Sequence, residues 1–358
     1  MLLASLLIVT TQTRPIQVAP EAIRTAANQP QLAVMKDGTT LLTFGAGDTV
    51  YFASSQNGGQ SWSAAVEVGS NGKLSLGNRR GPRIASSKKD IAISAIFGEQ
   101  GGGKDGDLVA WRSKDGGKTW SGPNKVSDVP GCAREGLHAM GSDMDGTMLA
   151  AWLDLRGEKT EVVSSYSTDG GKSWSKNALV YRSPDGSVCE CCHPSVAFGS
   201  FGELGVMFRN SLRGMRDMYM AMSPDGGRSF GPAVKLGTQS WQINACPMDG
   251  GSLAFDGSGT AVAAWRSQQS LYVSKDVNST EFAQGRNPWT TTTPAGPVTV
   301  WETGRGESVF VQSGSRIGTR KRLTESGSDP VVVSGLKGTV VAWREGGRNG
   351  GIFIQKLD

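Results

Sequence analysis

Cys189-Glu190-Cys191-Cys192-His193 sets four soft, metal-ligating side chains within five positions, in a chain of 358 residues with only five cysteines and two histidines. Cys132, Cys246 and His138 stand, like that cluster, just before or at the start of segments that read as strands, so one fold can gather them. Thiolates and imidazoles are preferred ligands of copper and zinc, which makes Cys132, His138, Cys189, Cys191, Cys192, His193 and Cys246 a candidate set for either metal. The spacing matches no standard zinc module. In an oxidising compartment the same thiols would form disulfides, for example Cys132 or Cys246 with Cys189 or Cys191, and the odd count leaves one over.

Arginines and carboxylates supply a second chemistry. Arg83, Arg134 and Glu135 lead into strand-like segments with Asp249, while Asp154, Arg209, Arg266 and Arg344 end other strands. A guanidinium fork reads a carboxylate through two parallel hydrogen bonds, so Arg83, Arg134, Arg209, Arg266 and Arg344 are candidate ligand-binding residues for an anion or a glycan. Glu135, Asp154 and Asp249 are the candidates for acid–base work. The competing role for both groups is to tie neighbouring sheets together by buried ion pairs.

The elements that must position these residues recur. Ser55-Gln56-Asn57-Gly58-Gly59-Gln60-Ser61-Trp62 returns as Ser113 to Trp120, Ser167 to Trp174 and Ser223 to Phe230, with a degraded fifth copy at Ser274 to Phe282. The spacing of roughly 55 residues is that of one supersecondary unit. Asp-Gly-Gly makes a tight turn because Asp accepts local backbone hydrogen bonds and Gly tolerates positive φ, so these carboxylates are read as structural. Strand-like segments precede each turn, as in residues 137–141, 147–153 and 161–167, and another follows each aromatic residue. Four strands and a hairpin staple make one blade.

The expectation is therefore an all-β chain: a single β-propeller of four-stranded antiparallel blades closed by Asp-box hairpins. Innermost strands starting near Gln31, Pro82, Gly136, Pro194, Gly250, Pro288 and Pro330 favour seven blades, with six if two weak units merge. The last unit has three strands, and residues 16–19 are placed to supply its fourth.

Composition agrees. Fifty glycines, ten tryptophans and 19% charged residues suit short strands and tight turns rather than long amphipathic helices. A formal charge of +5, with Arg320-Lys321-Arg322 as the longest basic run, argues against a nucleic-acid partner. Residues 1–9 (MLLASLLIV) read as the apolar part of an export signal or as an N-terminal strand; residues 1–13 are set apart from a propeller at 14–358. No segment is expected to span a membrane, and the expected location is secreted or periplasmic.

The four Asp boxes resemble those of the sialidase superfamily, also called BNR-repeat proteins. The stretches Glu135–Arg156 and Cys189–Arg209 are similar to members labelled exo-sialidases. The resemblance implies boxes opposite the active face, three arginines clamping a carboxylate, a Tyr nucleophile with a Glu, and an acidic Asp. The family's Phe/Tyr-Arg-Ile-Pro signature is absent: Gln29-Pro30-Gln31-Leu32 stands in its place, and Gly81-Pro82-Arg83-Ile84 is a loose echo one blade later. Tyr51, Tyr166, Tyr219 and Tyr272 fall inside third strands and Tyr181 follows an outer one, so no tyrosine sits at the expected mouth. The reading is thus recognition of an anionic or glycan small-molecule ligand at the axial mouth. The alternatives are an exo-alpha-sialidase or other glycoside hydrolase, and a Cys/His-centred metal-binding or redox protein. No cofactor is required by the first two.

Overall fold

The computed structural model describes residues 14–314 and 320–357. The apolar run at residues 1–9 lies outside them. The described chain is all-β apart from one 3-10 turn at Glu21–Ala26, and every strand pairing is antiparallel. The sheets are arranged as a β-propeller.

Four sheets follow one plan: an innermost strand, two more in sequence order, and an outer strand. Their innermost strands are Ala27–Val34, His138–Ser142, Ser195–Phe198 and Ser252–Phe255. A fifth, with innermost strand Arg83–Ser87, carries an extra short strand, Lys73–Leu74, on the edge of Asp90–Gly98. The last two units are fused into one seven-stranded sheet, because Arg320–Gly335 runs unbroken from the outer position of one into the innermost position of the next. The innermost strands lie side by side in chain order, and the far half of Arg320–Gly335 returns to Ala27–Val34. Ile16–Gln17 pairs with Gly351–Leu357 and supplies the outer strand that the C-terminal unit lacks.

Burial explains why these segments are strands. Thr40–Ala46, Met148–Asp154 and Leu204–Arg209 are buried at every position. Such strands are covered on both faces and need no polar alternation. The apolar clusters lie between adjacent sheets: Leu41, Val50 and Phe52 meet Ile91, Ile93 and Trp111, and Leu42 and Phe44 meet Val331, Val340 and Ile354. The second contact joins the first sheet to the last and closes the ring.

The four box turns act as staples. In the second copy Ser113 Oγ donates to Asp115 Oδ1 (2.8 Å), the Gly117 amide donates to Ser113 Oγ (2.8 Å), and Thr119 Oγ1 donates to Asp115 Oδ2 (2.6 Å). The copies at Ser167 and Ser223 repeat this pattern, and Asn57 replaces the Asp in the first. Hydrogen bonds from Thr119, Ser173 and Ser229 help hold Asp115, Asp169 and Asp225 below the usual carboxylate range. Trp120 then packs edge-on against Phe52 of the preceding unit (5.2 Å between centroids). The degraded fifth copy is not a box. Ser270–Lys275 and Asn278–Gln284 join through a two-residue turn with Asp276 at φ 55°, because no Gly-Gly follows Asp276 to build the longer loop.

Candidate functional site

In an antiparallel four-stranded unit, the start of the innermost strand and the turn from second to third strand share one end. The box turns occupy the other. Contacts between units confirm that the lead-in segments gather: Arg79 Nη2 donates to Asn287 O (2.9 Å), Arg80 Nε to Glu135 O (2.6 Å), and the Asn287 amide to Asp249 Oδ2 (2.8 Å).

The loop at 188–193 is strapped to the end of Leu204–Arg209 by the Cys189 amide, which donates to Arg209 O (3.0 Å). Its turn brings three sulfurs together: Cys189 to Cys192 Sγ 3.5 Å, Cys189 to Cys191 3.7 Å, and Cys191 to Cys192 3.9 Å. The Asp249 amide points at Cys192 Sγ (3.4 Å). Thiols of Cys191 and Cys192, with Arg209 and Arg216 close by, hold Cys189 low, while Cys191 and Cys192 are pushed up, the first by the neighbouring sulfurs and the second by burial. Cys191 alone of the three is partly open to solvent.

The other expected metal ligands do not join them. Cys132 is buried against Asp154, and burial together with that carboxylate pushes its thiol up to about 12. Cys246 is exposed. His138 is hydrogen-bonded to Ser94 Oγ (3.0 Å), whereas His193 stacks on Trp289 (5.9 Å) with both ring nitrogens unpartnered. Burial first, then flanking arginines, hold both imidazoles well below the ordinary range and therefore neutral. All five cysteines are free thiols, and the closest sulfurs lie well beyond the length of an S–S bond, so the expected disulfides are not formed.

The arginines separate in the same way. Arg209, 1% exposed, donates to three backbone carbonyls, those of Asp249 (2.9 Å), Arg216 (2.7 Å) and Arg266 (2.9 Å). Arg83, 3% exposed, donates to Gly81 O (3.1 Å), Pro82 O (3.0 Å) and Arg79 O; burial and Arg79 lower its guanidinium to about 9. Arg209 ties its blade to the next, whereas Arg83 braces its own lead-in segment and keeps only a buried, unpartnered Nε. Arg344 is half-buried, with Nε unpartnered, and Arg134 is exposed beside Glu135 (3.9 Å). Arg266 remains available. It lies over the Trp241 ring (5.2 Å) and lines a hollow of about 520 Å³ with Trp241, Ile243, Met248, Arg286 and Arg305. Among the described residues, no carboxylate lines that hollow. Arg286 and Arg305 are the residues that sequence reasoning missed, since neither belongs to a motif.

Among the acids, Asp154 is fully buried and accepts from Trp152 Nε1 (2.7 Å), the Arg156 amide (2.9 Å), Arg156 Nε (2.8 Å) and Arg156 Nη2 (2.9 Å). These bonds hold it below the usual carboxylate range against the opposing effect of burial. That is a saturated structural carboxylate. Asp249 is also buried and leaves Oδ1 unpartnered. Glu135 is half-buried, and burial raises its carboxyl against the lowering effect of Arg134 and Arg80, with Glu190 adding to the rise. No tyrosine meets a carboxylate in the arginine hollow: Tyr181 OH accepts from Asn210 (3.0 Å), and Tyr272 OH lies 3.5 Å from Glu281.

The BNR repeat-like domain model matches residues 44–285, more than half of the chain. No curated protein matches it in sequence. Among solved structures, the alpha-L-arabinanase of Penicillium chrysogenum complexed with arabinobiose is 16% identical, covers 97% of this chain and 98% of its own, and superposes with a TM-score of 0.55. The leech intramolecular trans-sialidase complexed with 2,7-anhydro-Neu5Ac is 11% identical over 98% and 70%, TM-score 0.58. The intramolecular trans-sialidase of Ruminococcus gnavus in complex with oseltamivir carboxylate is 11% identical over 94% and 95%, TM-score 0.55. At such identities the likeness is one of fold.

Proposed function

This chain belongs to the BNR repeat-like domain family, and on that premise we propose that it binds an anionic ligand, an acidic glycan in the first instance, in the hollow between Arg266, Arg286 and Arg305. The observation that carries the reading is the charge imbalance of that hollow. Among the described residues three guanidinium groups and no carboxylate line it; Arg286 has Glu302 behind it (3.4 Å), and Arg266 lies over Trp241. A guanidinium offers paired donors to a carboxylate. Of the ligands of the similar folds, oseltamivir carboxylate carries an anionic group of that kind.

The test is binding of a carboxylated glycan set, read by calorimetry, to the native chain and to Arg266→Ala and Arg305→Ala. Affinity should fall about tenfold or more for each variant, one charged hydrogen-bond pair being worth roughly 1.5–3 kcal/mol. Neutral glycans binding as well as acidic ones, or no dependence on either arginine, would refute it.

A second reading, glycoside hydrolysis, is favoured by Glu135. Burial raises its carboxyl despite Arg134 and Arg80, as a proton donor in such chemistry needs, and Glu190 is near enough to add to the rise. Turnover of 4-methylumbelliferyl sialoside or arabinofuranoside, lost in Glu135→Gln, would establish it, and no turnover of either would remove it.

A further inference from the structure

We propose that Cys189, Cys191 and Cys192 form a binding site for one soft, thiophilic cation of the Cu(I) type, held in trigonal three-sulfur coordination. The proposal goes beyond the anion reading and rests on different residues.

Geometry is the first ground. The sulfurs stand 3.5, 3.7 and 3.9 Å apart, a nearly equilateral triangle. The point equidistant from all three is about 2.1 Å from each, close to the roughly 2.3 Å of a metal–thiolate bond, so an ion needs only a small displacement from that plane or a slight opening of the triangle. Three side chains within four positions achieve this because the turn is braced at both ends, by the Cys189 amide on Arg209 O and by the Asp249 amide on Cys192 Sγ.

The ligand set selects the ion. Among the described residues the group contains three cysteines and no imidazole or carboxylate. Structural zinc sites are almost always four-coordinate, whereas sulfur-only ligation suits soft Cu(I). Charge agrees: three thiolates around a monovalent ion carry two net negative charges, and Arg209 and Arg216 lie close enough to act on the cluster. The Asp249 N–H stabilises thiolate at Cys192 in the same way. Access exists through Cys191, the member open to solvent. On binding, each S–H bond gives its proton to solvent as an S–Cu bond forms, and no electron changes hands.

The experiment is anaerobic titration of the reduced full-length chain with Cu(I), in competition with a chromophoric Cu(I) chelator. One ion per chain is expected, with X-ray absorption showing three sulfurs near the bond length above. Cys191→Ser, the least buried member, should weaken binding about 100-fold or more, since even outer-shell changes cost 10–100-fold. Cys246→Ser and Cys132→Ser should leave it within about twofold. Melting curves of each variant check that the fold survives. Loss of binding in Cys246→Ser, failure to retain Cu(I) against the chelator, a four-coordinate Zn(II) complex displacing copper, or a Cys189–Cys192 disulfide whose reduction restores no binding would each overturn the proposal.

Discussion

Asp154 offers the sharpest test of the division between structural and functional groups on the ligand face. Replacing it with Ala removes four accepted hydrogen bonds at a side chain with no solvent exposure. Trp152 Nε1, on a fully buried side chain, is left without an acceptor, a loss of about 1–3 kcal/mol. Breaking a buried ion pair from one side costs about 3–5 kcal/mol. Arg156 keeps Asp128 (3.1 Å) and Asn177 (2.8 Å), and its guanidinium is partly exposed, so that cost is reduced rather than added in full. The expected destabilisation is about 3 kcal/mol for Asp154→Ala and about 2 kcal/mol for Asp154→Asn, which keeps one acceptor. Urea unfolding followed by tryptophan fluorescence measures both. The acid limb adds a second reading. The folded carboxyl lies below its unfolded value, so its contribution is present above the unfolded carboxylate value of about 3.9 and is lost as pH falls through the folded one. The gap between native and Asp154→Asn should therefore close in strong acid. A variant that unfolds with the native protein at neutral pH, yet loses a glycosidic turnover, would refute the reasoning and return Asp154 to catalysis.

Three further outcomes are expected. Gly117→Ala should be far more damaging than Gly116→Ala: both sit at positive φ (89° and 75°), but a Cβ on Gly117 meets Phe52 Cε1 at 2.0 Å, while one on Gly116 meets nothing within 4 Å. Gly116→Ala should cost about 1 kcal/mol and Gly117→Ala clearly more, measured as paired melts, and equal costs would show that the staple yields. Arg209→Lys should destabilise nearly as much as Arg209→Ala, roughly 3 kcal/mol, because an ammonium cannot serve three carbonyls from that position; a fully stable Lys variant would show those bonds to be dispensable. In any glycoside turnover that depends on Glu135, Glu190→Gln should move the alkaline limb of the pH–rate profile to lower pH, since removing a like charge lowers the Glu135 carboxyl; an unmoved limb would separate the two acids.

How much of the site was legible follows from what each residue's position depends on. The Cys189–Cys192 turn is local, and its three sulfurs meet as the spacing suggests. Cys132, Cys246 and His138 approach only through other blades, and each ends elsewhere: Cys132 on Asp154, Cys246 in solvent, His138 on Ser94. The expected arginine clamp divides for a related reason. Arg83 and Arg209 look like Arg266 in sequence, but both are buried on backbone carbonyls, Arg83 on those of its own lead-in segment and Arg209 on those of Asp249 and Arg266 from the next blade, whereas Arg266 keeps an open side beside Trp241. Arg286 and Arg305 complete the hollow from a unit with no box motif to draw attention to it.

From residue order alone came the propeller, the four staples and the role of residues 16–17 as the final outer strand. These depend on short-range turn chemistry and on pairing between chain neighbours, which sequence spacing encodes directly. The ring's contents were decided in three dimensions. How far Arg209 is satisfied and which carboxyl is raised depend on backbone carbonyls and charges that the fold brings in from neighbouring blades, such as the carbonyls of Asp249 and Arg266 on Arg209 and the charge of Glu190 near Glu135. Burial turns those neighbours into the dominant energies, and no local pattern records them.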